Sequence, residues 1–163
     1  MSPFLRMKRL YPWRPLVKKS PVEPDRHRQR RPQYDGSPGW MLLTHDEDGI
    51  AQAIFVDKND KPHTVQIVLD ERVFSDTVLR VVRLPKDVYV VYDVKTLNGV
   101  HVFETLNYEQ RQEKLGALLD LFHHPDLAAL ILPEDVPAGT LLRGYEHYDD
   151  KPGTLGAFLP AVE

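Results

Sequence analysis

The stretch that decides the fold is DVYVVYDVKTLNGVHVFETLNYEQRQEKL, residues 87–115. It begins with a β-rich run in which apolar residues alternate with their neighbours, a pattern typical of a central strand. Asn98 and Gly99 follow, and because both residues tolerate a positive φ they predict a tight hairpin turn. Residues 100–103 are then expected to return as a short strand.

A helix is predicted directly after this hairpin. Asn107 is a suitable N-cap and Gln110 stands at the capping-box position, so we expect the helix to begin here and to continue through residue 122. The side chains expected on its buried face are Leu115, Leu118, Leu119 and Phe122. Those expected to face solvent are Arg111, Glu113 and Lys114.

Further strands are predicted on the N-terminal side of this stretch. Residues 40–44, 50–56 and 63–69 are short apolar runs separated by turn-forming sequences, which indicates an antiparallel meander. Residues 76–82 predict the next strand, and residues 127–132 a short apolar helix or turn. We therefore predict an α+β fold in which a twisted antiparallel sheet carries one principal helix.

Composition limits the classes of protein that the chain can represent. The 163 residues are 42% hydrophobic, enough for one core, and no apolar run has membrane-spanning length. The absence of cysteine excludes disulfides and thiolate metal sites and fits a reducing compartment. No secretory signal is evident. His123 and His124 favour a helix cap over a metal site, and we expect neither a metal nor a cofactor.

Charge is divided unevenly along the chain. Residues 1–34 contain ten Lys and Arg but two Asp and Glu, whereas residues 35–163 contain eleven and twenty-two. We interpret residues 1–32 as an extended, basic, proline-rich arm and residues 33–163 as the folded domain.

Three interpretations of this arm stay open. It is a tail that lies in solvent or folds over the acidic body, an arm that binds RNA, DNA or an acidic partner, or a mitochondrial transit peptide. Tyr11 or Trp13 would be available for stacking on bases. The cations that would contact phosphate are Arg6, Lys8, Arg9, Arg14, Lys18, Lys19, Arg26, Arg28, Arg30 and Arg31.

Several motifs resemble those of the covalent nucleotidyltransferases, the superfamily of DNA ligases, RNA ligases, mRNA capping enzymes and the cap-binding domain of snurportin. Tyr92-Asp93, Asn98-Gly99 and Arg111 resemble the third motif of that family. Residues 33–36, Gln-Tyr-Asp-Gly, are similar to its Lys-x-Asp-Gly motif. The resemblance extends to about residue 160 and implies a shortened nucleotidyltransferase domain.

The charged residues of the family motifs are replaced in this chain. Gln33 stands where the family has its lysine nucleophile, and a carboxamide cannot form the covalent phosphoramidate. The predicted strand at residues 76–82 lacks the family's glutamate and has Arg80 instead. Ala138, Ala157 and Leu159 stand at the positions of an acid and two lysines. The resemblance therefore implies binding without nucleotidyl transfer.

The resemblance also implies where a nucleotide would bind. Tyr92 would stack on the base, although core packing is the alternative role for this side chain. Tyr34, Trp40 and Tyr148 would supply further walls. The candidate nucleotide-binding residues are Gln33, Tyr34, Asp35, Lys58, Arg80, Tyr92, Lys95, Tyr148 and Lys151.

These observations favour a non-catalytic subunit that docks into a nucleoprotein assembly of the ribosomal or virion kind. Its basic arm would contact nucleic acid, RNA above all, or neighbouring protein subunits, and no membrane. The expected location is a virion or a reducing intracellular compartment such as the cytoplasm or mitochondrial matrix. The alternatives are a snurportin-like nucleotide or mRNA-cap binding protein and an active nucleotidyltransferase.

Overall fold

The computed structural model describes residues 2–19, 29–67, 71–119, 127–149 and 151–160. Within these ranges the chain forms three α-helices and ten strands, so the predicted α+β class is confirmed. The helices are α1 (Pro3–Leu10), α2 (Val102–Thr105) and α3 (Tyr108–Leu119). The strands are β1 (Val17–Lys19), β2 (Gln29–Tyr34), β3 (Ser37–His45), β4 (Ala51–Asp57), β5 (Pro62–Thr64), β6 (Thr77–Leu84), β7 (Val88–Thr96), β8 (Ala129–Ile131), β9 (Leu142–Tyr148) and β10 (Gly156–Pro160).

The larger sheet has six strands in the order β5-β4-β3-β6-β7-β8. The predicted meander of β3, β4 and β5 is antiparallel, as expected. The sheet curls, and a hydrogen bond of 3.1 Å from the Ala128 N–H to the Gln66 carbonyl joins its two ends. The main core fills the inside of this curl, where Leu115 and Leu118 of α3 pack against the strands.

The smaller sheet has four strands in the order β1-β10-β9-β2. Among the described strands, two edge pairings are parallel, β1 with β10 and β7 with β8, so the predicted antiparallel arrangement is wrong at these edges. The small sheet contacts the outer face of the large sheet. Tyr148 of β9 stacks on Tyr108 of α3 at a centroid distance of 3.8 Å, and the Tyr34 N–H donates to the Tyr92 hydroxyl.

The predicted turn at Asn98 and Gly99 is confirmed. Both residues have a positive φ, 47° and 82°, and the Val100 N–H donates to the Leu97 carbonyl at 3.0 Å. The predicted return strand at 100–103 is wrong. The chain forms one isolated bridge after the turn and then enters α2, which buries Val102 and Phe103.

The predicted start of the principal helix is confirmed in detail. The Gln110 N–H donates to the Asn107 side chain at 2.8 Å, and the Asn107 N–H donates to the Gln110 side chain at 3.0 Å. This is the reciprocal capping box. The described helix ends at residue 119, so the expected end at residue 122 and the two histidines lie outside the described residues.

The predicted exposure of Arg111 on the helix surface is wrong. We expected it in solvent, but its side chain is 1% exposed and forms an ion pair with Asp93 of β7. The two N–O distances are 2.7 and 3.2 Å, and a third donor reaches the Leu106 carbonyl at 2.9 Å. Burial of both charges is tolerated because the pair is bidentate and each of the three guanidinium nitrogens has an acceptor.

The prediction for residues 127–132 is also wrong. We expected a helix or turn, but Ala129–Ile131 forms β8 and pairs in parallel with the edge of β7. A short apolar run does not distinguish strand from buried helix by its periodicity. The segment forms a strand because the edge of β7 is available for pairing.

The predicted extended arm is a third correction. Residues 3–10 form α1, with Pro3 in its first turn, where proline does not interrupt a helix. Met7 is fully buried against the large sheet, so the segment folds over the body. β2 runs across the predicted boundary at 32–33 because it pairs with β9. Arg26, Arg28 and the Lys19 side chain lie outside the described residues.

Candidate binding cleft

A cleft of about 1020 Å³ lies between the two sheets and the N-terminal segment. Trp40 of β3 and Arg80 of β6 are direct cross-strand partners, so both side chains leave the same face of the large sheet. Gln33, Arg143 and Phe158 line the cleft from the small sheet. This concave surface therefore combines residues from segments that are far apart in the sequence.

A glycine shapes the wall formed by the small sheet. At Gly144, next to Arg143 on β9, an added Cβ would lie 2.7 Å from the Phe158 ring and 2.2 Å from the Leu159 carbonyl oxygen. The absence of a side chain lets the Phe158 ring lie across β9. That ring then supplies an apolar surface to the cleft.

The lining is strongly cationic. Its charged residues are Lys8, Arg14, Lys18, Lys58, Arg80 and Arg143, against Asp57 and Asp60. Six positive and two negative residues line the cleft, and because the buried Glu146 compensates Arg80, the remaining excess is three positive charges at pH 7. Among the described residues, the side chains of Arg14, Lys18, Lys58 and Arg143 have no ion-pair or hydrogen-bond partner. Such a concave positive surface attracts anionic ligands.

Aromatic rings accompany these cations. Trp13 and Trp40 both line the cleft and are partly buried, so each presents apolar surface beside the charges. The Trp13 ring is supported by Phe4 at a centroid distance of 6.0 Å. Indole rings next to unpaired cations provide the two kinds of contact that a nucleotide needs, stacking on a base and charge opposite a phosphate.

A buried carboxylate lies beside the cleft. Glu146 of β9 has no exposed surface, and Arg80 donates to it through both terminal nitrogens, with NH1 at 3.1 and 3.3 Å. The Gln33 amide donates to it at 2.5 Å, and the Tyr148 hydroxyl also donates. Burial opposes the charge of Arg80, but the Glu146 carboxylate outweighs this effect and raises the pKa of the guanidinium.

This arrangement determines what Gln33 can do. Its amide nitrogen has no basic lone pair and is already engaged by Glu146, so Gln33 cannot act as a nucleophile. Burial raises the pKa of Tyr148, whose hydroxyl is therefore protonated at neutral pH. The cluster of Gln33, Arg80, Glu146 and Tyr148 thus fixes the geometry of this side of the cleft.

Three of the candidate nucleotide-binding residues line the cleft: Gln33, Lys58 and Arg80. Tyr92 does not. It is 1% exposed, with the Arg80 guanidinium 5.0 Å from its ring centroid, so core packing describes it better than base stacking. Tyr148 is also buried, in the stack with Tyr108.

The remaining candidates lie outside the cleft. Lys95 is 7% exposed and lies 3.9 Å from the Glu104 carboxylate. Tyr34 is partly buried on β2, whereas Asp35 and Lys151 are exposed. The structure therefore brings together one third of the residues that the motifs indicated.

The arm contributes to the cleft in a different way from the one expected. Lys8, Arg14 and Lys18 line it, since the segment folds against the two sheets. Lys8 also forms an ion pair with Asp60.

Other cations of the arm lie elsewhere. Arg31 pairs with Glu134 at 2.5 Å, and Arg30 lies over the ring of Tyr145 at 4.1 Å. Arg9 is exposed on α1.

Sequence analysis missed Arg143, Glu146 and Phe158. The one available signal was Glu146 itself, a single acid on an aromatic-rich strand, Gly-Tyr-Glu-His-Tyr. Its arginine partner is 66 residues earlier, at position 80. No local pattern relates the two.

The described residues include no group of three or more His, Asp or Glu placed to hold a metal ion. In the same part of the chain, no helix has the length and apolar character needed to cross a membrane. No protein-family model matches the sequence, and no curated protein matches it.

Proposed function

We propose that this protein is a non-catalytic, nucleotidyltransferase-like subunit that binds single-stranded nucleic acid, RNA above all, and thereby docks into a nucleoprotein assembly. The observation that carries the proposal is the cleft. It combines four cations without a side-chain partner among the described residues with two tryptophan rings. A single strand offers both phosphates and exposed bases to such a surface, whereas a duplex keeps its bases stacked inside.

Binding without chemistry is supported by the buried cluster. Gln33 occupies the position that the resemblance gives to a nucleophilic lysine, and its amide is held by Glu146. We expect no labelled protein band after incubation with radiolabelled ATP or GTP and a divalent metal ion. A labelled band that resists denaturation would overturn the non-catalytic assignment.

The binding experiment measures the fluorescence anisotropy of a labelled oligouridylate at low salt. Lys58→Ala and Arg143→Ala should each weaken binding about fivefold, because an exposed charge contact contributes about 1 kcal/mol. Lys114→Ala is the matched control, since Lys114 is exposed on α3 and does not line the cleft. Absence of saturable binding, or an equal effect of the control, would refute the proposal.

A second function is favoured by the size of the cleft and its two indole rings. About 1020 Å³ is near the upper end of small-molecule sites, which span roughly 300–1,000 Å³. A nucleotide or mRNA cap could therefore be held with its base on Trp40. Titration with GTP and a capped dinucleotide, followed by tryptophan fluorescence, distinguishes the two functions. Because Tyr92 is buried, Trp40→Leu is the informative variant, and tighter binding of the cap than of oligouridylate would favour this second function.

A further inference from the structure

The N-terminal segment bridges the two sheets and forms one side of the cleft. We call residues 2–16 the strap. Its helix α1 packs on the large sheet, and β1, which follows it, pairs with β10 of the small sheet. The cleft lies between these two attachments, and Trp13 and Arg14 line it from the strap.

The attachment to the large sheet has an apolar part, in which Phe4, Tyr11 and Trp13 pack around the buried Met7. Met7 is the fully buried side chain of α1 and packs against Leu42, Ile54 and Val78. Leu5 and Leu10 remain about half exposed, at 53% and 49%. An eight-residue helix of this kind is not stable alone and depends on its tertiary contacts.

The polar part of this attachment has two sites, the exposed Lys8–Asp60 ion pair and a more buried group that converges on the Asp76 carboxylate. Asp76 accepts hydrogen bonds from Arg6 at 2.5 and 3.2 Å, from the Tyr11 hydroxyl at 2.8 Å and from Thr44 at 2.6 Å. Arg6 and Tyr11 belong to the strap, and Thr44 belongs to β3. We call these four side chains the latch. Removing the single charge of Asp76 would weaken both contacts that the strap makes with it.

The attachment to the small sheet is of a different kind. The Gly156 N–H donates to the Leu16 carbonyl at 2.8 Å, Leu16 is 3% exposed, and β1 continues the ladder along β10. This end is held by backbone hydrogen bonds and does not depend on one charged group. The latch is therefore the end at which the strap can be released.

Between its two ends the strap is held by side-chain packing, with the partly buried Trp13 ring against Phe4 and the apolar cluster around Met7. Residues 12–15, Pro-Trp-Arg-Pro, form no backbone hydrogen bond within the described part of the chain. A segment without backbone hydrogen bonds of its own can open locally once its side-chain packing is released. Trp13, which lines the cleft, is therefore held by side-chain packing that depends on the attachment of α1.

We infer that the strap is a movable wall of the cleft, which opens at the latch to admit a single-stranded nucleic acid and closes over it through Trp13 and Arg14. The inference rests on the proposed function for its ligand. Latching places the Trp13 ring and the Arg14 charge against the bound strand. Release of the latch removes both contacts and widens the entrance.

The first test needs no ligand. Hydrogen exchange followed by mass spectrometry compares the wild-type protein with Asp76→Asn, and amides of residues 4–11 should exchange about tenfold faster in the variant. Amides of β6 and β7 should be unchanged. Asp60→Asn is the matched control, because Asp60 also pairs with α1 and shares the positive φ of Asp76. Arg6→Gln provides a second latch variant should Asp76→Asn not fold.

The second test measures the kinetics of oligouridylate binding by stopped-flow anisotropy. The latch variant should raise the dissociation rate about tenfold and the association rate severalfold, whereas Lys58→Ala should not raise the association rate, because it removes a charge that attracts the strand. Unchanged exchange in α1, or unchanged binding rates despite faster exchange, would overturn the strap while leaving nucleic-acid binding intact. Failure of the wild-type protein to bind would instead refute the proposed function, and with it the role of the strap as a cover for this ligand.

Discussion

Arg80 neutralises a carboxylate that has no contact with solvent. Glu146 depends on Arg80 for its charge partner and on Gln33 and Tyr148 for further hydrogen bonds. Removing one member of a buried ion pair leaves the other charge uncompensated, which costs about 3–5 kcal/mol, whereas replacing both by apolar residues is often neutral. The energetic role of Arg80 is therefore inseparable from Glu146.

Arg80→Met should accordingly lower the free energy of unfolding by about 3–5 kcal/mol. The double variant Arg80→Met with Glu146→Leu should recover most of that loss. Urea denaturation at pH 7 measures both values. Equal stability of the single and double variants would show that the pair is not the main contribution of Arg80.

Sequence reasoning at the scale of single residues succeeded where the partner is local. Asn107 and Gln110 are three positions apart, and their mutual hydrogen bonds follow from the capping-box spacing. It failed for Arg111, whose partner Asp93 is on another element. Helical periodicity describes which face a residue occupies and does not show that a strand places a carboxylate there.

Asn107→Ala should destabilise the protein by about 1 kcal/mol, because the first turn of α3 loses its side-chain acceptor. Glu109→Ala, at an exposed position of the same turn, is the control and should have a smaller effect. Chemical denaturation monitored by circular dichroism gives both values. An equal loss of stability in the two variants would indicate a general effect on helix propensity and not the loss of the N-cap.

At the scale of elements, α1 is held by a group that titrates in acid. Burial of Asp76 opposes its ionisation, but hydrogen bonds from Arg6, Thr44 and Tyr11 outweigh this effect and lower its pKa. Because the pKa is lower in the folded state, the latch stabilises α1 above the unfolded pKa, about 3.9. That stabilisation is lost as the pH falls through the native pKa.

We therefore expect α1 to be attached at pH 7 and to loosen as the pH falls below about 4. Trp13 fluorescence in a Trp40→Phe background reports the change, since these are the two tryptophans of the chain. Asp76→Asn should show weaker attachment at pH 7 and no further acid response in this signal. A similar acid transition in both proteins would assign the response to other carboxylates.

Three of the elements that the sequence failed to predict share a cause. α1, α2 and β8 are all short, and each depends on a surface supplied by a distant segment. Met7 is buried by β3 and β4, and β8 is fixed by the edge of β7. The strands of the meander were predictable because alternation and turn residues are written in the local sequence.

At the scale of the whole molecule, the cleft too has a part that local motifs predict and a part that depends on contacts between distant segments. Motif comparison indicated Gln33, Lys58 and Arg80, which do line it. Trp13 was noted only as a possible stacking residue of an extended arm, and Arg143 was not noted at all. The cleft exists because the strap and the small sheet meet on one face of the large sheet, an arrangement of non-local contacts that no local pattern shows.

The salt dependence of binding tests this assembled surface as a unit. Each phosphate contact to a single strand contributes about −0.7 to the slope of log affinity against log salt concentration. Phosphate contacts from Arg14, Lys18, Lys58 and Arg143 would together give a slope of about −3. The double variant Lys58→Ala with Arg143→Ala should reduce its magnitude to about 1.5. A slope that stays at the wild-type value would mean that the strand follows another surface, whereas a reduction confined to this variant and absent from Lys114→Ala would place the phosphates in the cleft, where the two sheets and the strap meet.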